Sequence, residues 1–103
     1  MKLRRRTALL AVALGAGSAR AALHEVAIRD MRFEPELLRI RVGDTVRWTN
    51  REKRTSHSLL FKGQPESERL FPGESLERRF DQDGEFDYFC GPHPEMKGRV
   101  VVE

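Results

Sequence analysis

Apolar and polar residues alternate in short runs along most of the chain, and no segment repeats its apolar positions at the spacing of a helix. In LHEVAIR, 23–29, Val26 and Ile28 share a face, which predicts a first strand. A turn is predicted from Asp30 to Pro35. LLRIRV, 37–42, sets Leu38, Ile40 and Val42 against Arg39 and Arg41, and TVRWTN, 45–50, puts Val46 and Trp48 inward. With Gly43-Asp44 between them as a turn pair, these two runs read as a hairpin. Leu59-Leu60-Phe61 is a short apolar strand, and 62–74, with Gly63, Pro65, Pro72 and Gly73, reads as a connection between sheets. Ser75 to Phe80 turns Leu76 inward and Arg78-Arg79 to solvent. After Asp83-Gly84, the run EFDYFC places Phe86, Tyr88 and Cys90 on one face, and 99–102 closes the chain as a last strand.

About seven short strands separated by turn signals predict an all-β fold, a Greek-key antiparallel β-sandwich. Tyr88, two residues before Cys90 on a late strand, is placed like the tyrosine that anchors a corner of such sandwiches.

The first 21 residues have a different character. Lys2, Arg4, Arg5 and Arg6 precede an apolar run from Thr7 to Gly17 that ends at Ala19-Arg20-Ala21, the order of a secretory signal peptide. The run is too short to span a bilayer, which needs about 20 apolar residues. Residues 1–21 are therefore expected to be cleaved, leaving 22–103 as one domain in the periplasm, exported by the general or the twin-arginine route. Cleavage also changes the charge. The whole chain has 19 Lys+Arg against 16 Asp+Glu, but residues 1–21 hold five of the basic residues and no acidic one, leaving 14 against 16. The basic balance belongs to the leader, so neither nucleic acid nor membrane is expected as a partner. The expected mature protein is a soluble monomer.

So small a domain is often stapled by a disulfide or a metal. A single cysteine, Cys90, cannot form an internal disulfide. It opens the run Cys90-Gly91-Pro92-His93-Pro94-Glu95-Met96, which presents a thiolate, an imidazole and a thioether on one loop. His57, at the start of another strand, can add a second imidazole. One Cys and two His with a weak axial Met is the donor set of a blue-copper electron-transfer site. Singly, a buried Cys, a loop His and a core Met are unremarkable; their joint spacing outweighs those readings. Zinc, which favours four Cys or His donors, fits less well than copper. Pro92 and Pro94 stiffen the loop and remove two N–H groups from the neighbourhood of the sulfur.

From about Glu25 onward the chain resembles a cupredoxin of the plastocyanin–azurin kind, in particular its amicyanin-type branch, through VGDTVRWTN and PHPEMKGRVVVE. The resemblance implies one copper ion, Cu(I)/Cu(II), held by His57, Cys90, His93 and Met96. It also implies electron shuttling between a donor dehydrogenase and a c-type cytochrome or oxidase. Two positions depart from the branch. Ser58 stands where Asn is common, its hydroxyl still able to tie the two ligand loops together, and Glu95 brings a charge where an apolar residue is usual. His93, on the outer loop, is the expected electron gateway, with His57 more buried. Docking is assigned to Met31, Pro92, Pro94 and Glu95, with Arg51, Lys53 and Arg54 steering an acidic partner; the other reading of that basic run is a solvated loop.

His24 is the remaining histidine. If cleavage follows Ala21 it is the third residue, where a free amine and an imidazole can wrap Cu(II) in a square of nitrogens; the plainer reading is a frayed terminus. The rival functions are an oxidase or nitrite reductase, which needs more histidines than the three present, and a copper carrier or buffer that delivers the metal. A closed four-donor site favours electron transfer over delivery, and no enzymatic activity is expected.

Overall fold

The computed structural model describes residues 20–103, and the basic and apolar segment assigned to a leader lies almost wholly outside them. Eight strands are present among the described residues: β1 (Leu23–Arg29), β2 (Arg32–Glu34), β3 (Leu37–Ile40), β4 (Thr45–Asn50), β5 (Leu60–Phe61), β6 (Ser75–Arg79), β7 (Gly84–Phe89) and β8 (Lys97–Val102). They form two four-stranded sheets, ordered β2-β1-β4-β6 and β3-β8-β7-β5, packed as a sandwich. The predicted all-β sandwich is the observed one.

Its internal pairing departs from the sequence reading. β3 and β4 are not a hairpin: β3 runs parallel to β8 in one sheet, and β4 lies between β1 (parallel) and β6 (antiparallel) in the other. Period-2 alternation shows which face of a strand is buried but not which strand lies beside it. Here Ile40 and Val46 enter the same core from opposite sheets. Val42, predicted inward, is half exposed because β3 ends at Ile40. The predicted turn after Asp30 is also shorter. Asp30 and Met31, both at positive φ (54° and 57°), make a two-residue hairpin loop, and Arg32 already pairs with Arg29.

The core is aromatic. Trp48, fully buried, meets Tyr88, Phe61 and Phe80 at centroid distances of 5.5, 5.9 and 6.5 Å, and Phe33 meets Tyr88 at 4.8 Å. Burying an aromatic of this size removes ~200 Å² from water, worth about 5 kcal/mol at ~25 cal/mol per Å². The Trp48 indole N–H donates to the Tyr88 hydroxyl at 3.0 Å, linking the two sheets. Tyr88 thus bonds across the core and does not make the backbone corner suggested by its place before Cys90. Gly98, paired with Tyr88, leaves the space its ring fills: a Cβ there would collide with the hydroxyl end. Arg78, assigned to solvent, instead lies over the rings of Phe61 and Phe80 at 4.4 and 4.9 Å, a cation–π cover on the core edge.

Asp44 fastens the other end of the sandwich. Its Oδ1 accepts from the Ala22 N–H at 2.9 Å, and its Oδ2 from the Arg41 N–H at 3.0 Å, with His24 Nε2 at 2.9 Å. The bond from Ala22 chiefly, then those from Arg41 and His24, hold its carboxyl down at about 2 against the opposing effect of burial. A depressed carboxyl stabilises the fold above its unfolded value of 3.8, and that contribution disappears as pH falls toward about 2. Asp44→Ala should cost about 1–3 kcal/mol at neutral pH, the range for orphaning buried donors. Urea unfolding of variant and wild type should converge in acid; a gap that persists undiminished near pH 2 would show that the carboxylate charge is not the cause.

Candidate metal centre

Two loops at one end of the sandwich bring the soft donors together. β5 pairs antiparallel with β7, Leu60 opposite Phe89, so the residues just outside these strands, His57 and Cys90, become neighbours. Cys90 Sγ lies 3.5 Å from His57 Nδ1 and 3.4 Å from His93 Nδ1. The ligand atoms of the three residues all fall within 4.8 Å of one another. Bonds of ~2.0–2.3 Å from one ion to a sulfur and a nitrogen place those donors roughly 3.5–3.8 Å apart, so the cluster is close to a metal-sized cradle.

Local backbone bonds shape the Cys90 loop. The His93 N–H donates to Cys90 O (3.2 Å), the Met96 N–H to His93 O (2.9 Å) and the Cys90 N–H to Met96 O (3.0 Å). These bonds fold the C-x-x-H-x-x-M run back on itself and draw Met96, itself buried, against Cys90. Pro92 and Pro94 are exposed beside a partly buried His93, whereas His57 is fully buried. The sulfur receives one protein N–H among the described residues, from Ser58 at 3.5 Å. The Ser58 hydroxyl in turn accepts from the Gly91 N–H at 3.1 Å.

His57 is oriented by Glu52, which stands within the basic run of Arg51, Lys53 and Arg54 and was assigned no role from the sequence. Glu52 Oε2 lies 3.1 Å from His57 Nε2, so that nitrogen carries the proton and Nδ1 presents its lone pair toward Cys90. Glu52 is held in place by its own N–H, which donates to Asn50 Oδ1, and it also accepts from the Met31 N–H; both bonds are 2.9 Å. Asn50, fully buried, gives its amide protons to the carbonyls of Thr55 and Leu70, each at 2.9 Å. Leu70 then exchanges both backbone bonds with His57, at 2.7 and 3.0 Å. Burial pushes the His57 imidazole below the ordinary histidine value, with Glu52 acting against it. The neutral ring, the form that binds metals, is thereby favoured.

The residues expected to dock a partner divide by position. Arg51, Lys53 and Arg54 are exposed on the loop leading to His57, and Met31 reaches that end through its bond to Glu52. Glu95 is exposed within the ligand loop. Phe71, 54% exposed, was not singled out in the sequence; it follows Leu70, the backbone partner of His57. His24 lies apart from this cluster, on Asp44. It is not frayed: Leu23 and His24 pair with Thr45 and Val46 in β1 and β4. A square of nitrogens at 22–24 would require these residues to leave the strand.

A sandwich holding a buried cysteine sulfur between two imidazoles, with a buried methionine in the same loop, presents the donor set of a mononuclear copper protein. The chain belongs to the plastocyanin/azurin family of copper binding proteins, whose family model matches residues 20–103. It is 41% identical over 85 residues to amicyanin-alpha of Methylorubrum extorquens, covering 77% of this chain and 71% of that one. It is 38% identical over 84 residues to amicyanin of Paracoccus denitrificans, covering 76% and 63%. A solved Cu(I) form of a singly substituted amicyanin superposes with a TM-score of 0.76 at 31% identity, over 87% of this chain and 90% of that one. The cofactor is copper, and the class is one of electron carriers and not of enzymes.

Removing the Glu52 carboxylate should loosen the oriented imidazole. Glu52→Ala is expected to weaken copper binding by about 10- to 100-fold, the usual effect of deleting a ligand's hydrogen-bond partner. Competition with a chelator measures it; Glu52→Gln, which retains an acceptor oxygen, should lose less. Equal affinities in all three proteins would remove Glu52 from this role.

Proposed function

We propose that the protein is a periplasmic type 1 copper electron carrier, passing single electrons from a donor dehydrogenase to a c-type cytochrome or oxidase. The convergence of His57, Cys90 and His93 carries this reading. In it Met96 would supply a fourth, thioether donor to the copper, and residues 1–21 are the export signal. Among the described residues no helix is long and apolar enough to cross a membrane.

Copper, when bound, supplies a one-electron couple between Cu(I) and Cu(II). The chain's own contribution is rigidity and access. His57 is locked by Glu52 and by Leu70, and Cys90 sits at the end of a paired strand, so the fold itself holds these donors in place. His93, between exposed Pro92 and Pro94, is the least enclosed of the three histidine and cysteine donors and forms the exit toward a partner. Phe71 and Met31 add apolar surface at that end, and Arg51, Lys53 and Arg54 supply the charge that steers an acidic partner. Glu95 modifies the charge of the docking rim.

Delivery of copper is the second reading. Full burial of His57 and Cys90 weighs against it, because a delivering site has to open to a recipient.

The oxidised, copper-loaded protein should show an intense absorption band toward the red end of the visible spectrum, absent in Cys90→Ser. A colourless protein, or one that retains only zinc, would refute electron transfer and favour delivery or a structural site. Replacing Arg51, Lys53 and Arg54 together by Gln should slow association with an acidic redox partner, as read by stopped-flow, and flatten its salt dependence. An unchanged salt dependence would return that run to a solvated loop.

A further inference from the structure

The Ser58 side chain is fully buried between the two ligand loops, and its hydroxyl proton goes to a residue from a third segment. Ser58 Oγ donates to Glu66 Oε2 at 2.6 Å while accepting from the Gly91 N–H at 3.1 Å. The shorter bond has the length of a charge-assisted hydroxyl–carboxylate contact. The three groups thus form a chain, Gly91 N–H to Ser58 O–H to Glu66, in which each bond polarises the next.

The packing around Gly91 agrees with this. A Cβ at 91 would collide with the Glu66 carboxylate and come within 2.8 Å of the Ser58 hydroxyl. Glu66 fills the volume that any other residue after Cys90 would need. Nor is the segment carrying it loose: the Ser67 N–H donates to Leu59 O and the Leu59 N–H to Ser67 Oγ, both at 2.8 Å. Those bonds fasten Glu66 one residue away, beside the strand that follows His57.

We propose that Glu66 is a positioning residue of the copper centre, which through the Ser58 hydroxyl holds the Cys90–Gly91 corner against the His57 loop. The inference rests on the copper reading above. The Ser58 hydroxyl reaches the Gly91 N–H but still has its own proton to place, and the Glu66 carboxylate accepts it. The same Ser58 supplies the N–H on the Cys90 sulfur, so a shift of this residue is felt at the thiolate.

The test compares Glu66→Ala, Glu66→Gln, Ser58→Ala and the double variant Ser58→Asn with Glu66→Ala, each copper-loaded. Glu66→Ala should lose copper to a chelator about 10- to 100-fold more readily and shift the thiolate absorption bands. Ser58→Ala should reproduce that effect. Glu66→Gln, still able to accept the Ser58 proton, should keep the bands in place. The double variant, with its own acceptor for the Gly91 N–H, should recover them, which a general loss of stability would not allow. In the metal-free proteins, amide exchange at Gly91 should quicken in Glu66→Ala and Ser58→Ala. Wild-type bands, copper retention and Gly91 exchange in Glu66→Ala would overturn the proposal. A wild-type protein that never develops the band would instead refute the copper reading, with Gly91 exchange still deciding whether the latch exists.

Discussion

The contact between Trp48 and Tyr88 ties the two sheets together at their centre, and the position of the metal centre follows from it. Trp48 is on β4 and Tyr88 on β7, so the indole–hydroxyl bond and the surrounding rings fix how far one sheet can slide over the other. Cys90 comes two residues after Tyr88, and Asn50 two residues after Trp48. Each therefore projects from the same end, one carrying the sulfur and the other organising the loop that carries His57. Burial of the rings supplies most of the stabilisation, while the single hydrogen bond specifies the alignment; an unpaired indole N–H in that core would cost about 1–3 kcal/mol.

The donors of the centre are aimed by the polar groups around them. Glu52 sets the His57 ring, Asn50 sets Glu52, and Ser58 touches both the Cys90 sulfur and the Gly91 amide. Asn50 ends β4, and Glu52 and Ser58 lie in the segment between β4 and β5, which crosses from one sheet to the other. A crossover loop would ordinarily run over the surface exposed to water; here buried Asn50 satisfies its backbone and makes it rigid. The partly exposed His93 contrasts with fully buried His57, so the site is closed on the His57 side and more open on the His93 side.

The donor cluster was legible in the chain because most of it is local. Cys90, His93 and Met96 share a seven-residue loop, and the alternation in EFDYFC places Cys90 inward without reference to any partner strand. The strands themselves were legible for the same reason, since period-2 burial is written residue by residue. Strand partners were not. The run of 37–50 has every local sign of a hairpin, yet Leu37–Ile40 lies along β8 and Thr45–Asn50 along β1. That choice depends on which apolar faces close the sandwich, a property of the whole chain.

The supporting charges were hidden by their neighbours. Glu52 stands among Arg51, Lys53 and Arg54, and Glu66 in a Gly- and Pro-punctuated connection, so both read as solvated loop residues until the fold brings them to His57 and Ser58. Arg78 likewise read as a surface charge until Phe61 and Phe80 came beneath it. By itself the sequence determined the class of fold and pointed to the candidate donor residues, because burial periodicity and ligand chemistry are written in the residues themselves. Only the tertiary structure decided the strand pairing, the tautomer of His57 and the polar groups that hold the loops, because each depends on residues that meet through folding.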